Sequence, residues 1–336
     1  MLSFDVPKYE KVLGGAVALR PQVEKAADEI SKAGYSNIFF IGTGGSYAHG
    51  LCLKTMMDSQ SALETHAVMA AEFMLMTPKR FSKDSLCVFT TRSGDTKEIV
   101  AAAKFCRDAG ARVVMYSAKT DSPAAQHANY LFPCYSDDDY LVEVIYLTMI
   151  PFVARLMQQR GEFPKYDELA AGTDSAIPYL IKGKEKLDDI GKAYAAAHKD
   201  CDYTMVVGSG IGWGEAYSAA MCIMEEMLWM KTKSIHATEF FHGTIELVEP
   251  DTTMLLFYGD DESRPLMDRV LNFAKTVSKD ITVFDTQEID LPVPADLRKY
   301  LTPLAMAIII DRIAVHLSEE RDHPLTIRRY YRQMEY

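Results

Sequence analysis

An acid among apolar side chains, followed sixteen residues later by a histidine, is the pairing in this sequence best suited to moving protons. The stretch EAYSAAMCIMEEMLWMKTKSIHATEFFHGTIELVE runs from Glu215 to Glu249. Between Ala216 and Met230 its only charged side chains are Glu225 and Glu226. Ala216, Ala219, Ala220, Ile223, Met227 and Met230 recur at helical spacing, which predicts a largely buried helix. Cys222, Ile223, Trp229 and Met230 fall within one turn of Glu226, so the helix puts that carboxylate in apolar surroundings. A carboxylate withdrawn from water holds its proton more tightly, and so becomes able to trade protons near neutrality. Glu239-Phe240-Phe241-His242-Gly243 then brings a second acid together with His242, in a segment too irregular for a simple helix. The competing reading is an acid satisfied by a partner and a structural histidine.

A second group of residues suits an anion. Thr91, Arg92, Ser93 and Thr96 crowd hydroxyls and one cation onto a turn that opens a helix, and Ser46 offers another hydroxyl after Gly44 and Gly45. Helix N-termini at the carboxyl ends of parallel strands favour anions. The nucleotide signatures fail: a dinucleotide fingerprint needs G-x-G-x-x-G, whereas Gly42-x-Gly44 is followed by Tyr47 and Gly208-x-Gly210 by Trp213. No G-K-[ST] follows either loop. The hydroxyls suit a single phosphate monoester. Ser93 and Thr96 acting only as helix caps is the alternative.

The elements that would carry these residues alternate. Buried strands are expected over 37–41, 86–90, 112–116 and 130–133, with helices over 22–34, 47–57, 99–109 and 141–160. After a linking helix over 179–198 the order restarts. Strands follow over 203–207, 253–257 and 281–284, with helices over 216–230, 265–277 and 301–317. Such alternation implies parallel sheets with helices on both faces. The chain therefore reads as two copies of one doubly wound α/β unit, one over 1–178 and the other over 179–336.

At 336 residues the chain has room for two such cores, and at 48% apolar and 25% charged it is an ordinary globular sequence. A net charge of −11 disfavours nucleic acid as a partner. MLSFDVPKYEKV has early acids and no apolar run, unlike a signal peptide. The apolar run 305–310 is too short for a bilayer, so no membrane association is expected. Six scattered cysteines without C-x-x-C point to reduced thiols and a cytoplasmic setting. No histidine pair stands at i, i+4, and no metal site or other cofactor is expected.

G-G-S-Y after the first strand, T-R-S-G-D-T-K-E after the second and Asp121-Ser122-Pro123 beyond the third resemble the sugar isomerase (SIS) domain. The resemblance implies tandem flavodoxin-like domains that bind phosphosugars, with Ser46, Thr91, Ser93 and Thr96 on the phosphate. The second half is similar to the fructosamine-6-phosphate deglycases. Glu226, His242 within E-F-F-H-G, E-L-V-E-P, G-D-D-E-S-R and the tail H-P-L-T-I-R-R-Y-Y ending in Glu335-Tyr336 carry that likeness.

On this resemblance the chain cleaves a 6-phosphorylated Amadori compound to glucose 6-phosphate and a free amine or amino acid. Glu226 moves the proton between C1 and C2, and His242 assists ring opening and protonates the departing amine. The resemblance also implies a homo-oligomer, dimeric or larger, with the site at the subunit interface. Gly44, Gly45, Glu239 and Arg329 are further candidate substrate contacts. A simple aldose–ketose isomerase, a ketosamine deaminase and a non-catalytic phosphosugar sensor are the alternatives. Two positions depart from the pattern. Thr244 stands where proline is usual, and Arg329 stands where synthase-type relatives carry a Schiff-base lysine. A guanidinium cannot form an imine, which favours a substrate that brings its own amine.

Overall fold

A computed structural model describes residues 1–134 and 140–335. The chain divides into two compact units, Asp5–Ile177 with Leu291–Leu304, and Met1–Phe4 with Pro178–Asp290 and Ala305–Tyr336. Tyr336, the last residue of the motif-bearing tail, lies outside the described residues.

The first unit opens with α1 (Val6–Val17) and α2 (Arg20–Ala33), then alternates: β1 (Asn37–Gly42), α3 (Gly45–Asp58), β2 (Thr65–Met69), α4 (Ala70–Met76), β3 (Ser85–Thr91), α5 (Lys97–Asp108), β4 (Arg112–Ser117), β5 (Tyr130–Pro133), α6 (Leu141–Gln159) and α7 (Tyr166–Asp174). The five strands are parallel in the order β2-β1-β3-β4-β5. Every residue of β1 and β3 is buried, as expected of central strands covered on both faces. Phe39, Ile41, Cys87, Phe89, Val113 and Met115 pack against α4 and α5. Tyr116, of the opposite parity, meets Phe152 of α6. A short 3-10 turn (Ala125–His127) leads from β4 to β5.

The second unit contains α8 (Ile177–His198, from Pro178 onward), β6 (Thr204–Gly208), α9 (Trp213–Ser218), β7 (Thr232–His236), β8 (Thr253–Tyr258), α10 (Arg264–Val277), β9 (Asp280–Asp285) and α11 (Thr302–Glu320, from Ala305 onward). Among the described residues its four parallel strands run β7-β6-β8-β9, the order of the first four strands of the first sheet. Met267, Val270 and Ala274 of α10 close one face over Met205, Val207, Met254 and Leu256. On α8 and α11, Lys184 Nζ lies 2.6 Å from Asp311, and Arg312 lies 3.1 Å from Asp188, so the buried cations are paired.

Two expectations change. The helix over 216–230 is interrupted: α9 passes into a π-helical segment, Ala219–Glu225. The chain then turns into β7, a strand that the periodicity concealed. β2 was hidden likewise. The apolar run 305–310 belongs to a long helical stretch: Ala295–Glu320 and α6 are both long and apolar enough to cross a membrane, but they are 83% and 78% buried, as core helices are.

Candidate active site

In the first sheet the chain leaves β1 towards one edge and β3 towards the other. The crevice between their carboxyl ends is therefore the topological switch point, where doubly wound sheets hold ligands. Both hydroxyl-rich loops flank it. Gly44, at φ +56, turns the chain into α3, whose first turn holds Gly45 and half-buried Ser46. Across the crevice Thr91 ends β3. Its buried Oγ1 accepts the Gly94 N–H at 3.0 Å, which curls the loop back on itself. Arg92 is exposed, and Ser93 is half-buried. Thr96 occupies the N-cap position of α5 but makes no side-chain capping bond, so capping does not account for its hydroxyl. Gly94 has φ +66, and a Cβ there would lie 1.9 Å from Ser122 Oγ; its carbonyl accepts Ala124 N at 2.9 Å. The D-S-P stretch thus buttresses the loop from beneath.

His49, one turn after Ser46, joins the two sides. Its Nδ1 lies 3.1 Å from Thr90 Oγ1, and its ring meets Tyr146 edge-on at 5.3 Å. Burial depresses its pKa to about 4, so the ring is neutral at physiological pH.

The second sheet has the same switch point between β6 and β8, differently furnished. Gly210, at φ +58, stands two residues past its strand as Gly44 does. α10 starts six residues past the end of β8, as α5 does past β3, so Ser93, Gly94 and Thr96 correspond to Asp260, Asp261 and Ser263. Ser46 corresponds to Gly212. The buried Asp261 carboxylate accepts Ile211 N at 2.6 Å and Ser263 N at 2.8 Å, and Ser263 Oγ lies 2.8 Å from Ser209 Oγ. A Cβ on Gly210 would come within 2.2 Å of Asp261 Oδ1. The loop N–H groups of this half therefore hold an anion of the chain itself.

Glu226 lies just past the π-helical segment. Its N–H bonds Met221 O at 3.0 Å, and Leu228 N bonds Ile223 O at 3.1 Å, the i to i−5 pattern that re-phases this end of the helix. The carboxylate is not enclosed by apolar side chains, as its neighbours suggested. It is 37% exposed and pairs with Arg328 Nε at 2.9 Å. It opens into a cleft of about 510 Å³ whose lining includes Trp229, Arg329 and Tyr330. Glu225 diverges and accepts Thr232 Oγ1 at 2.7 Å. Trp229 has φ +56, unusual for a bulky residue. Its ring takes the Arg329 guanidinium at 4.3 Å and the edge of His323 at 4.5 Å.

His242 and Glu239 are exposed on the turn after β7, where Glu239 O accepts His242 N at 3.0 Å. Glu226 precedes β7 and His242 follows it, so the two flank opposite ends of a strand roughly 13 Å long. Among the described residues no hydrogen bond links them. Thr244, in the place of the usual proline, accepts Lys233 Nζ at 3.0 Å and is buried. His49 and Arg328 were not singled out from sequence, and Trp229 was read only as an apolar neighbour of Glu226. Arg328 lay in the motif-bearing tail, but neither a clamp across two loops nor a left-handed tryptophan leaves a pattern in spacing.

Residues 29–156 match the SIS domain. The chain is 31% identical over 318 residues to the fructosamine deglycase FrlB of Bacillus subtilis, covering 94% of this chain and 97% of that one. It is 27% identical over 329 residues to the fructoselysine 6-phosphate deglycase of Escherichia coli, covering 97% and 93%. A solved candidate phosphosugar isomerase from Bacillus subtilis superposes with a TM-score of 0.90 at 31% identity, over 96% of this chain and 99% of that one. With a duplicated parallel sheet, hydroxyl-lined loops at the first switch point and a relative this similar along nearly its whole length, the chain belongs to the SIS-domain family.

Proposed function

We propose that this chain is a deglycase that cleaves a 6-phosphorylated fructosamine to glucose 6-phosphate and a free amine. The observation that carries the reading is the pair of hydroxyl-bearing loops flanking the first switch point. They offer Ser46, Thr91, Ser93 and Thr96, together with the N-terminal amides of α3 and α5, to a phosphate monoester. The deglycase names of the relatives support the substrate class.

Glu226 takes a proton from C1 of the open-chain ketosamine, and the electron pair moves to give a C1–C2 enaminol. Return of the proton at C2 leaves a C1=N aldimine. Water adds to C1, the C–N bond breaks, and the nitrogen leaves with a proton. The sum is hydrolysis, with no change of oxidation state overall. An acid in an open cleft beside Arg328 can exchange protons with substrate, which a core acid could not. His242 opens the sugar ring and protonates the leaving nitrogen. Since it and Glu226 flank opposite ends of β7, His242 is supplied by a second copy of the chain, and the working form is a homo-oligomer.

The test is incubation of the purified protein with fructosamine 6-phosphates and their unphosphorylated counterparts, followed by assay of glucose 6-phosphate and amine. Turnover of only the phosphorylated compounds is expected. Equal turnover of both, or release of ammonia from a secondary amine substrate, overturns the reading.

A further inference from the structure

The cleft beside Glu226 carries more charge than one proton transfer needs. Glu225, Glu226, Lys231, Arg328 and Arg329 all line it. Arg328 is engaged by Glu226, and Glu225 by Thr232. Arg329 is different. Among the described residues it meets no carboxylate, and its guanidinium is seated over the Trp229 ring at 4.3 Å. Lys231 stands on the exposed rim without such a seat.

The seat is strained. Trp229 ends the helical segment in the left-handed region, at φ +56, where helices usually place glycine. Glycine would make the same turn without steric cost, so an indole here is best accounted for by what it touches. It holds a guanidinium by its ring face, where cation–π attraction fixes the position and leaves N–H donors at the guanidinium edge.

We propose that Arg329, seated on Trp229, binds the carboxylate of the substrate's amine half, so that the chain selects fructosamine 6-phosphates formed on the α-nitrogen of an amino acid. The proposal rests on the deglycase reading and narrows it. A guanidinium presents two parallel N–H groups that match the two oxygens of a carboxylate. In an α-amino acid one carbon separates that carboxylate from the nitrogen. Anchoring the carboxylate on Arg329 therefore keeps the nitrogen, and C1 beyond it, in the cleft that Glu226 lines. The amine departs as an ammonium, the charge Glu225 and Glu226 favour, so both ends of the zwitterionic product meet opposite charge.

The test compares fructosyl-glycine 6-phosphate with its glycinamide counterpart, which has nearly the same shape and no carboxylate. In the unaltered protein kcat/KM should favour glycine by about tenfold to a hundredfold, the usual value of a charge-assisted bond. Arg329→Met should bring the ratio close to one, and Arg329→Lys should leave it between. Product inhibition provides a readout that needs no variant: glycine should inhibit more strongly than glycinamide. A ratio near one in the unaltered protein, or a ratio that survives Arg329→Met, overturns the assignment while leaving deglycation intact. Cleavage of neither compound overturns this proposal, and the deglycase reading falls with it only if fructoselysine 6-phosphate, joined through the side-chain nitrogen, is also left intact.

Discussion

Replacing His49 with glutamine should change how stability responds to acid. The imidazole is enclosed between α3, Thr90 of β3 and Tyr146 of α6, and burial depresses its pKa from 6.5 to about 4. The sign follows from which state takes the proton. Between pH 6.5 and 4 the unfolded chain protonates this histidine and the folded one does not, so its contribution is present above 6.5 and is lost as pH falls. At pH 5 the loss is about 2 kcal/mol relative to pH 7, taking about 1.36 kcal/mol per pH unit. For a unit of this size that corresponds to roughly 4–8 °C in thermal midpoint. His49→Gln keeps a side chain able to reach Thr90 but cannot titrate. The measurement is the midpoint of both proteins at pH 7 and pH 5. The gap between them should narrow by that amount on acidification. A gap that stays constant, or widens, would refute the buried, neutral imidazole.

Three further outcomes are expected. Ser93→Ala and Thr96→Ala should each weaken binding of a fructosamine 6-phosphate by about 1.5–3 kcal/mol, read as KM, because each removes a donor from a dianion; an unchanged KM in both would clear the loops of that role. Glu226→Gln should lower kcat by roughly 10²–10⁴-fold with little change in affinity. Glu225→Gln, which removes a cleft charge but keeps an oxygen able to accept the Thr232 hydroxyl, should lower kcat far less than Glu226→Gln, and equal rate losses in the two would remove the assignment. Mixing inactive Glu226→Gln with inactive His242→Ala under proven subunit exchange should restore activity, whereas a verified mixed oligomer without activity would put both residues to work within one chain.

The parts of the fold legible in sequence were those with an uninterrupted period. β1, β3, β6 and β8 are buried on both faces, so their apolar runs stand out. β2 and β7 lie at sheet edges, and Thr232–His236 has a single aliphatic residue, Ile235, too little to mark a strand after a helix. The phosphate loops could be read because hydroxyl chemistry needs particular side chains. The setting of Glu226 could not. The π-helical segment re-phases the helix by its i to i−5 bonds, and the counter-ion Arg328 arrives from 102 residues further along the chain. Helical spacing assumes 3.6 residues per turn and says nothing of partners that remote.

Asp261 has a consequence for how many ligands each copy can take. On the reading proposed for the first sheet, one crevice waits for a phosphate dissolved at millimolar concentration or below. Its counterpart in the second sheet is served by a carboxylate tethered two residues from Ser263 and already bonded to Ile211 and Ser263. A tethered group competes at an effective concentration that a free metabolite rarely matches. Doubling the scaffold therefore leaves the binding capacity single: inorganic phosphate should saturate at one equivalent per chain, along a curve with one affinity and no second phase.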